Sequence, residues 1–358
     1  MSYTSAAVLA GLSLLSASAV GSETFLVENR VENRHGYNSW PMIEAVGNTL
    51  VCTYSRGWGH DIDDLWRSAY ARTSADGGRT WTPEVCFAKD NSVCEVMIGK
   101  GRDSGGAALF WVRCRGKGKV ASHHDLYRTT DGVTFEKIAT PALKPFPMQI
   151  TDIVATPSGL MCLWFATCYC DNDGSSWGTL TSGDDGHTWN QRTVEVVSRK
   201  ADLPTEPSAV CLPDGRLFAI ARTEITSGPD AAQFQLTSND GGATWTKRRT
   251  NIRDIFYSTP SLVHDRRTGL VSNYYYQRNK DVLKRRVARM DSIFDHPSDW
   301  PEPEVLAHGK SERPPDCGNA NTAVIGDMHY TAYYTGSPSN TAVVVTTARA
   351  PGFCAADK

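Results

Sequence analysis

Glu206 and Arg222 bound one stretch of the chain, Glu206-Pro-Ser-Ala-Val-Cys-Leu-Pro-Asp-Gly-Arg-Leu-Phe-Ala-Ile-Ala-Arg222. It reads as two strands about an Asp214-Gly215 turn, which brings the glutamate and the arginine to the same end of a hairpin. Two further stretches share this layout, one ending on Arg56 and the other on Gln277-Arg278. Three guanidinium groups at one opening repel unless an anion compensates, and the arginine fork fits a carboxylate bidentately. The expectation is an anion clamp of Arg56, Arg222 and Arg278, with Glu206 as base or charge stabiliser. The competing reading pairs these arginines with local acids such as Glu206, Glu224 and Asp61. His60 and Asp61 follow Arg56 in a glycine-rich loop that could carry an acid to the opening. Tyr334 and the run Tyr274-Tyr275-Tyr276 offer a nucleophile or a stacking face. Strand alternation lets only some of that run face one side.

These residues need a scaffold that repeats, and the sequence contains one. Ser74-Ala-Asp-Gly-Gly-Arg-Thr-Trp81, Ser182-Gly-Asp-Asp-Gly-His-Thr-Trp189 and Ser238-Asn-Asp-Gly-Gly-Ala-Thr-Trp245 share one pattern, and Thr129-Thr-Asp-Gly-Val-Thr-Phe135 is a shorter copy. The aspartates fall at 76, 131, 184 and 240, so successive copies stand 55, 53 and 56 residues apart. A constant period of that size marks stacked or radial units. Asp-Gly and Gly-Gly supply the positive φ of a tight turn, and the aspartate can accept turn amides. Turn chemistry accounts for every residue, so these aspartates are expected to be structural. About six strand-rich units follow one another, and residues 23–37 are expected to close the last. The expected fold is a six-bladed β-propeller of four-stranded antiparallel blades, a single domain over residues 23–358.

The chain has 358 residues, 40% hydrophobic and 21% charged, with a net charge of −2. That balance disfavours a nucleic-acid partner, which would want a basic face. Ten cysteines lie mostly in apolar runs and read as buried free thiols. Cys168-Tyr-Cys170 has the wrong spacing for zinc, so neither a metal nor a cofactor is expected. His123-His124 reads as strand-edge surface. Residues 1–22 contain a short apolar run followed by small residues. This is either a secretory signal without its positive start or a short helix, and it is too short to span a bilayer. Secretion is expected, with association to a virion as the alternative, and an oligomer is possible.

The repeated octapeptide has the form of an Asp box. Asp boxes, six units and inward arginines together resemble the sialidase superfamily, patchily over about residues 35–350. That resemblance implies a hydrolase of α-ketosidic bonds in sialic acids or related acidic sugars. It implies arginines on the sugar carboxylate, a tyrosine nucleophile, a glutamate and a separate acid. The family's first-blade Arg-Ile-Pro stands here as Ser39-Trp40-Pro41, so that arginine is missing. The stretch Tyr37-Asn38-Ser39-Trp40-Pro41 is instead similar to the start of the propeller in phage endosialidases. So are Glu206 through Arg222, Thr259 through Arg278, and Gly318-Asn-Ala-Asn through Tyr330 and Tyr334. Glu206, Arg222 and Arg278 carry over from that group, whereas Arg56 rests on the repeat alone. His60 or Asp61 would be the acid. Tyr37, Trp40, Asp152, Tyr275 and Asn319 are the expected substrate contacts. A non-catalytic glycan-binding propeller and another propeller hydrolase or lyase are the competing functions.

Overall fold

The computed structural model describes residues 22–29, 35–61, 64–168, 172–311 and 316–352. Most of the segment 1–22 lies outside the described residues. The described residues are all-β apart from single turns of helix. Its strands form antiparallel sheets in a propeller-like arrangement: one of eight strands, one of five and three of four. Each four-stranded sheet runs in sequence order, as short turns between neighbouring strands dictate. The strand Thr24–Glu28 pairs antiparallel with Asn340–Arg349, so the start of the chain closes its end as expected.

The sheet count differs from six separate blades. Four sheets stand alone, and the fifth joins the first strands of the chain to the last. The joint is short and parallel, with Gly36 and Tyr37 opposite Asn340 and Thr341. Asn38 reinforces it by donating to the Thr341 carbonyl, while the Thr341 hydroxyl donates to the Asn38 carbonyl.

Innermost strands are tied to one another around a closed path. Glu44 pairs with Lys100 at 3.1 Å, and the Lys100 carbonyl accepts from Ile153 N. Ser208 Oγ donates to Asp152 and accepts from Leu262 N. Ser261 Oγ accepts from Thr322 N, and Asn321 Oδ1 accepts from Ile43 N. Each link satisfies a buried polar group that an inner strand cannot satisfy within its own sheet.

The repeated turns are built alike. In each octapeptide the serine hydroxyl donates to the aspartate and accepts a glycine amide, while the aspartate accepts the threonine amide and hydroxyl. The closing tryptophan donates to a carbonyl inside its own turn and packs sideways. Trp189 meets Trp111 at 5.3 Å and Trp245 meets Trp177 at 6.2 Å. Glycine is required at Gly132 on two counts: φ is +72°, and a Cβ would fall 2.4 Å from Thr73. Hydrogen bonds from Thr244 and Ser238 hold the Asp240 carboxyl down at about 2. A carboxyl with a depressed folded pKa stabilises the fold above its unfolded value and loses that effect as pH falls through about 2. Asp240→Ala is therefore expected to lower the melting temperature at neutral pH and to shrink that difference near pH 2. Specific activity of the folded protein should be unchanged, and thermal melts at the two pH values with one activity assay check this.

Most of the described cysteines are buried free thiols, and Cys211 is half-buried. Cys52, Cys94, Cys114, Cys162 and Cys317 are buried free thiols, and Cys86 and Cys168 are exposed ones. Among the described residues no helix is long and apolar enough to cross a membrane.

Candidate active site

Four innermost strands carry a register shift at corresponding places: between Ser39 and Met42, Met97 and Gly99, Thr205 and Ser208, and Gly318 and Asn321. Bulges re-aim the side chain at the extra position. Three of them hold a non-glycine residue in the left-handed region: Trp40 at φ 50°, Glu206 at 47° and Asn319 at 52°. Such backbone costs about 1–3 kcal/mol per residue and persists where the surroundings impose it, often at functional sites. Two of the three precede proline, Pro41 and Pro207.

Glu206 sits in the first of two clusters. Arg222 Nη1 donates to its Oε2 at 2.7 Å, and the Thr259 hydroxyl donates to the same oxygen. Arg222 Nη2 also meets Glu224 Oε1 at 2.8 Å, and its guanidinium lies 5.4 Å from the Tyr257 ring. Burial would raise the Glu206 pKa, but Arg222, Thr259 and Arg278 outweigh it and hold the carboxylate ionised below its ordinary range. Arg222 is thus engaged by two carboxylates, which is the local pairing weighed against the clamp.

Arg278 differs. Its Nη2 donates to Asn319 Oδ1 at 2.8 Å, and its Nε is buried against Gly318, where an added Cβ would fall 2.7 Å away. Among the described residues no carboxylate forms an ion pair with it, although Tyr334, Glu206 and Asp316 all bear on its charge. Its Nε has no hydrogen-bond partner among the described residues, so this cation keeps an open donor beside Gly318.

Asp316 holds the second cluster, and sequence reasoning missed it. The Tyr334 hydroxyl donates to its Oδ1 at 3.0 Å, and the Tyr37 hydroxyl donates to its Oδ2 at 2.8 Å. His60 Nδ1 lies 2.9 Å from Oδ2 and 2.6 Å from the Tyr37 oxygen. Burial would raise the Asp316 pKa; His60, Tyr37 and Arg278 instead bring it below its ordinary value. Burial, with Tyr334 and Asp316 nearby, lifts the Tyr37 phenol well above its usual range. Burial also raises Tyr334. Both phenols stay protonated at neutral pH and donate to one ionised carboxylate.

Around that carboxylate the rings of Tyr37, Trp40, His60 and Tyr334 meet edge to face at 5.4–5.9 Å. Arg67, fully buried and also missed, lies 4.6 Å from the Trp40 ring. It ties down the backbone before it by donating to the Gly59 and Asp61 carbonyls. Nothing in its local sequence distinguishes it from the loop's other charged residues.

The remaining expected residues fall elsewhere. Arg56 is withdrawn into a buried pair with Glu84, backed by Glu28 at 3.4 Å and Asn38 at 2.7 Å, and it borders a cavity with Trp58, Trp66 and Tyr70 rather than the one Glu206 lines. The three-arginine convergence is corrected to Arg222 and Arg278. Tyr275 is buried in a side cluster with Asp254 and Arg286. Asp61 is exposed and holds Arg67 through its main-chain oxygen. Asp152 is bonded to Ser208 and lines, with Glu206, Thr259 and Asn319, a cavity of about 20 Å³. That is room for about one water molecule.

No protein-family model matches the chain, and no curated protein matches it. Solved structures do. A Dyadobacter fermentans DSM 18053 protein of unknown function matches 93% of this chain and 99% of its own, at TM-score 0.73 and 17% identity. Trypanosoma rangeli sialidase in complex with the inhibitor DANA matches 92% of this chain at TM-score 0.67 and 14% identity. The chain spans 60% of that sialidase. The phage phi92 endosialidase matches 94% of this chain and 70% of its own, at TM-score 0.63 and 11% identity. The chain therefore has a sialidase-like fold.

Proposed function

We propose that the chain is a glycoside hydrolase that cleaves the α-ketosidic bond of a sialic acid or a related acidic ulosonic sugar. The observation that carries this reading is Arg278: a cation with an open donor, bonded to Asn319 at a strained bulge and within the field of Glu206 and Asp316. In this reading the sugar carboxylate binds Arg278, and Arg222 contributes charge while holding Glu206 ionised. Glu206 and Asp316, both kept below the ordinary carboxylate range, stabilise the positive charge that develops at the anomeric carbon. The Tyr334 hydroxyl attacks the anomeric carbon while Asp316 accepts its proton and the ketosidic bond breaks. A water then displaces Tyr334, which regains its proton from Asp316; alternatively a water attacks directly in its place. A neutral phenol suits a carbon that already bears a carboxylate, because a charged nucleophile would be repelled. His60 carries the proton for the leaving group; its side chain is half exposed. Trp40 and Asn319 shape the sugar site.

The rest of the reading follows the fold. We take the eight-stranded sheet as two blades, which gives six around the closed path of inner-strand links, in one domain with Asp-box hairpins. Trp58 and Trp66, both exposed, flank a cavity of about 320 Å³ that His35 and Arg56 also line. Such rings suit a saccharide beyond the cleaved residue. Sialylated glycans outside the cell are the expected substrates. A binding-only propeller is the second reading; the exposure of Asp61 and the double pairing of Arg222 favour it. A screen of acidic glycosides, free and polymeric, with reducing-end detection decides between them. Release of acidic sugar is expected. Binding without release would favour the adhesin, and neither outcome would remove both readings.

A further inference from the structure

Three strands of one four-stranded sheet carry a row of donors that the candidate active site does not use. Glu95 pairs in register with Cys114, and Cys114 with His123, so the three side chains lie abreast on one face. Asp125, two residues along the strand from His123, shares that face. One ligand atom each from Cys114, His123 and Asp125 lie within 4.8 Å of one another. Cys114 Sγ is 3.9 Å from Asp125 Oδ2, and His123 Nε2 is 3.6 Å from the same oxygen. Those separations are long for hydrogen bonds. They come close to the edges of a tetrahedral zinc site. With Zn–S about 2.3 Å and Zn–N and Zn–O about 2.0–2.2 Å, neighbouring ligand atoms stand roughly 3.3–3.6 Å apart.

The outer contacts already orient the donors. His123 Nδ1 lies 3.3 Å from the Ala121 carbonyl, which can only accept. That bond keeps a proton on Nδ1, so Nε2 is the ring nitrogen turned to Asp125 and the one that binds an ion once its own proton has left. Asp125 Oδ1 accepts the Thr140 hydroxyl at 2.6 Å, so Oδ2 is the oxygen left for an ion. Such bonds fix the tautomer and the rotamer of metal ligands. Beside Cys114, Glu95 is 3% exposed and its Oε2 has no hydrogen-bond partner. The Lys137 ammonium lies 3.3 Å from Asp125 Oδ2 on a half-exposed side chain, so a cation is already drawn to that oxygen and can turn out to solvent.

We propose that Cys114, His123 and Asp125 bind one zinc-class divalent cation. The thiolate and imidazole select zinc over magnesium or calcium, which take oxygen ligands. On binding, the Cys114 thiol loses its proton to solvent and the metal–sulfur bond forms, with no change of oxidation state. The ion would stitch two strands together, independently of any glycosidase activity.

The test uses the full chain carrying Cys168→Ser, which removes an exposed competing thiol. The protein is stripped with chelator and titrated with Co²⁺, whose thiolate charge-transfer band reports sulfur ligation. One equivalent per chain is expected, with the band present. Affinity should fall by about 100-fold or more in Cys114→Ser and in His123→Gln, since even outer contacts of a metal site contribute about 10–100-fold. His123 is about a third exposed, so its variant should fold even if the Cys114 variant does not. Loss of affinity in a variant whose metal-free melting temperature is unchanged supports the site. No band in the parent, or a band of equal strength and affinity in both variants, overturns it.

Discussion

Replacing Arg278 by alanine should lower kcat/KM for an acidic glycoside by roughly 10- to 150-fold. A charge-assisted bidentate contact to a carboxylate is worth about 1.5–3 kcal/mol, and about 1.4 kcal/mol is a factor of ten. The melting temperature should stay near wild type, because Arg278 forms no carboxylate pair among the described residues and gives up one hydrogen bond, to Asn319. Arg278→Lys keeps the charge but loses the fork, so it should recover only part of the activity. Steady-state kinetics with thermal melts check both variants. Full activity in Arg278→Ala would leave this arginine as a structural cation.

Arg56→Met should do the opposite: destabilise the fold by about 3–5 kcal/mol, the usual cost of breaking a buried ion pair from one side. The Arg56 side chain is 1% exposed, and Glu84, 7% exposed, loses both of its hydrogen bonds from it. Glu28 keeps Arg72 at 2.7 Å, so the damage centres on Glu84. Specific activity below the melting transition should be unchanged. Denaturant unfolding with a parallel activity assay checks this. Lost activity at unchanged stability would return Arg56 to the substrate site.

These two arginines also mark how far the sequence could be read. The repeated turns were legible because every interaction in them is local: serine, aspartate, glycine and threonine within seven residues specify one hydrogen-bond pattern. Position along a strand was legible too, and it placed Arg222 beside Glu206. Which face a strand-end residue takes was not. Arg56 lies opposite Asn38, one residue from Tyr37, and successive side chains point to opposite faces. Tyr37 therefore joins Asp316 while Arg56 turns to Glu84. Bulges such as the one between Thr205 and Ser208 shift that parity again, and nothing in a single sequence marks where they fall. Asp316 was invisible for a related reason. Its partners Tyr37 and His60 lie 279 and 256 residues away in sequence, brought near only when the chain closes on itself. Cys114 and Glu95 likewise reach His123 and Asp125 from separate strands, so no spacing pattern announced the full set.

The central claim is that the protein recognises the carboxylate of a sugar while cleaving its ketosidic bond. Initial rates on an α-ketoside of sialic acid and on the methyl ester of the same compound test it most directly. The ester keeps every hydroxyl and removes only the charge that Arg278 would bind. The free acid should be cleaved, and the ester should be slower by about the same 10- to 150-fold, since the same contact is lost. Equal rates on acid and ester, or no cleavage of any acidic ketoside, would contradict the account.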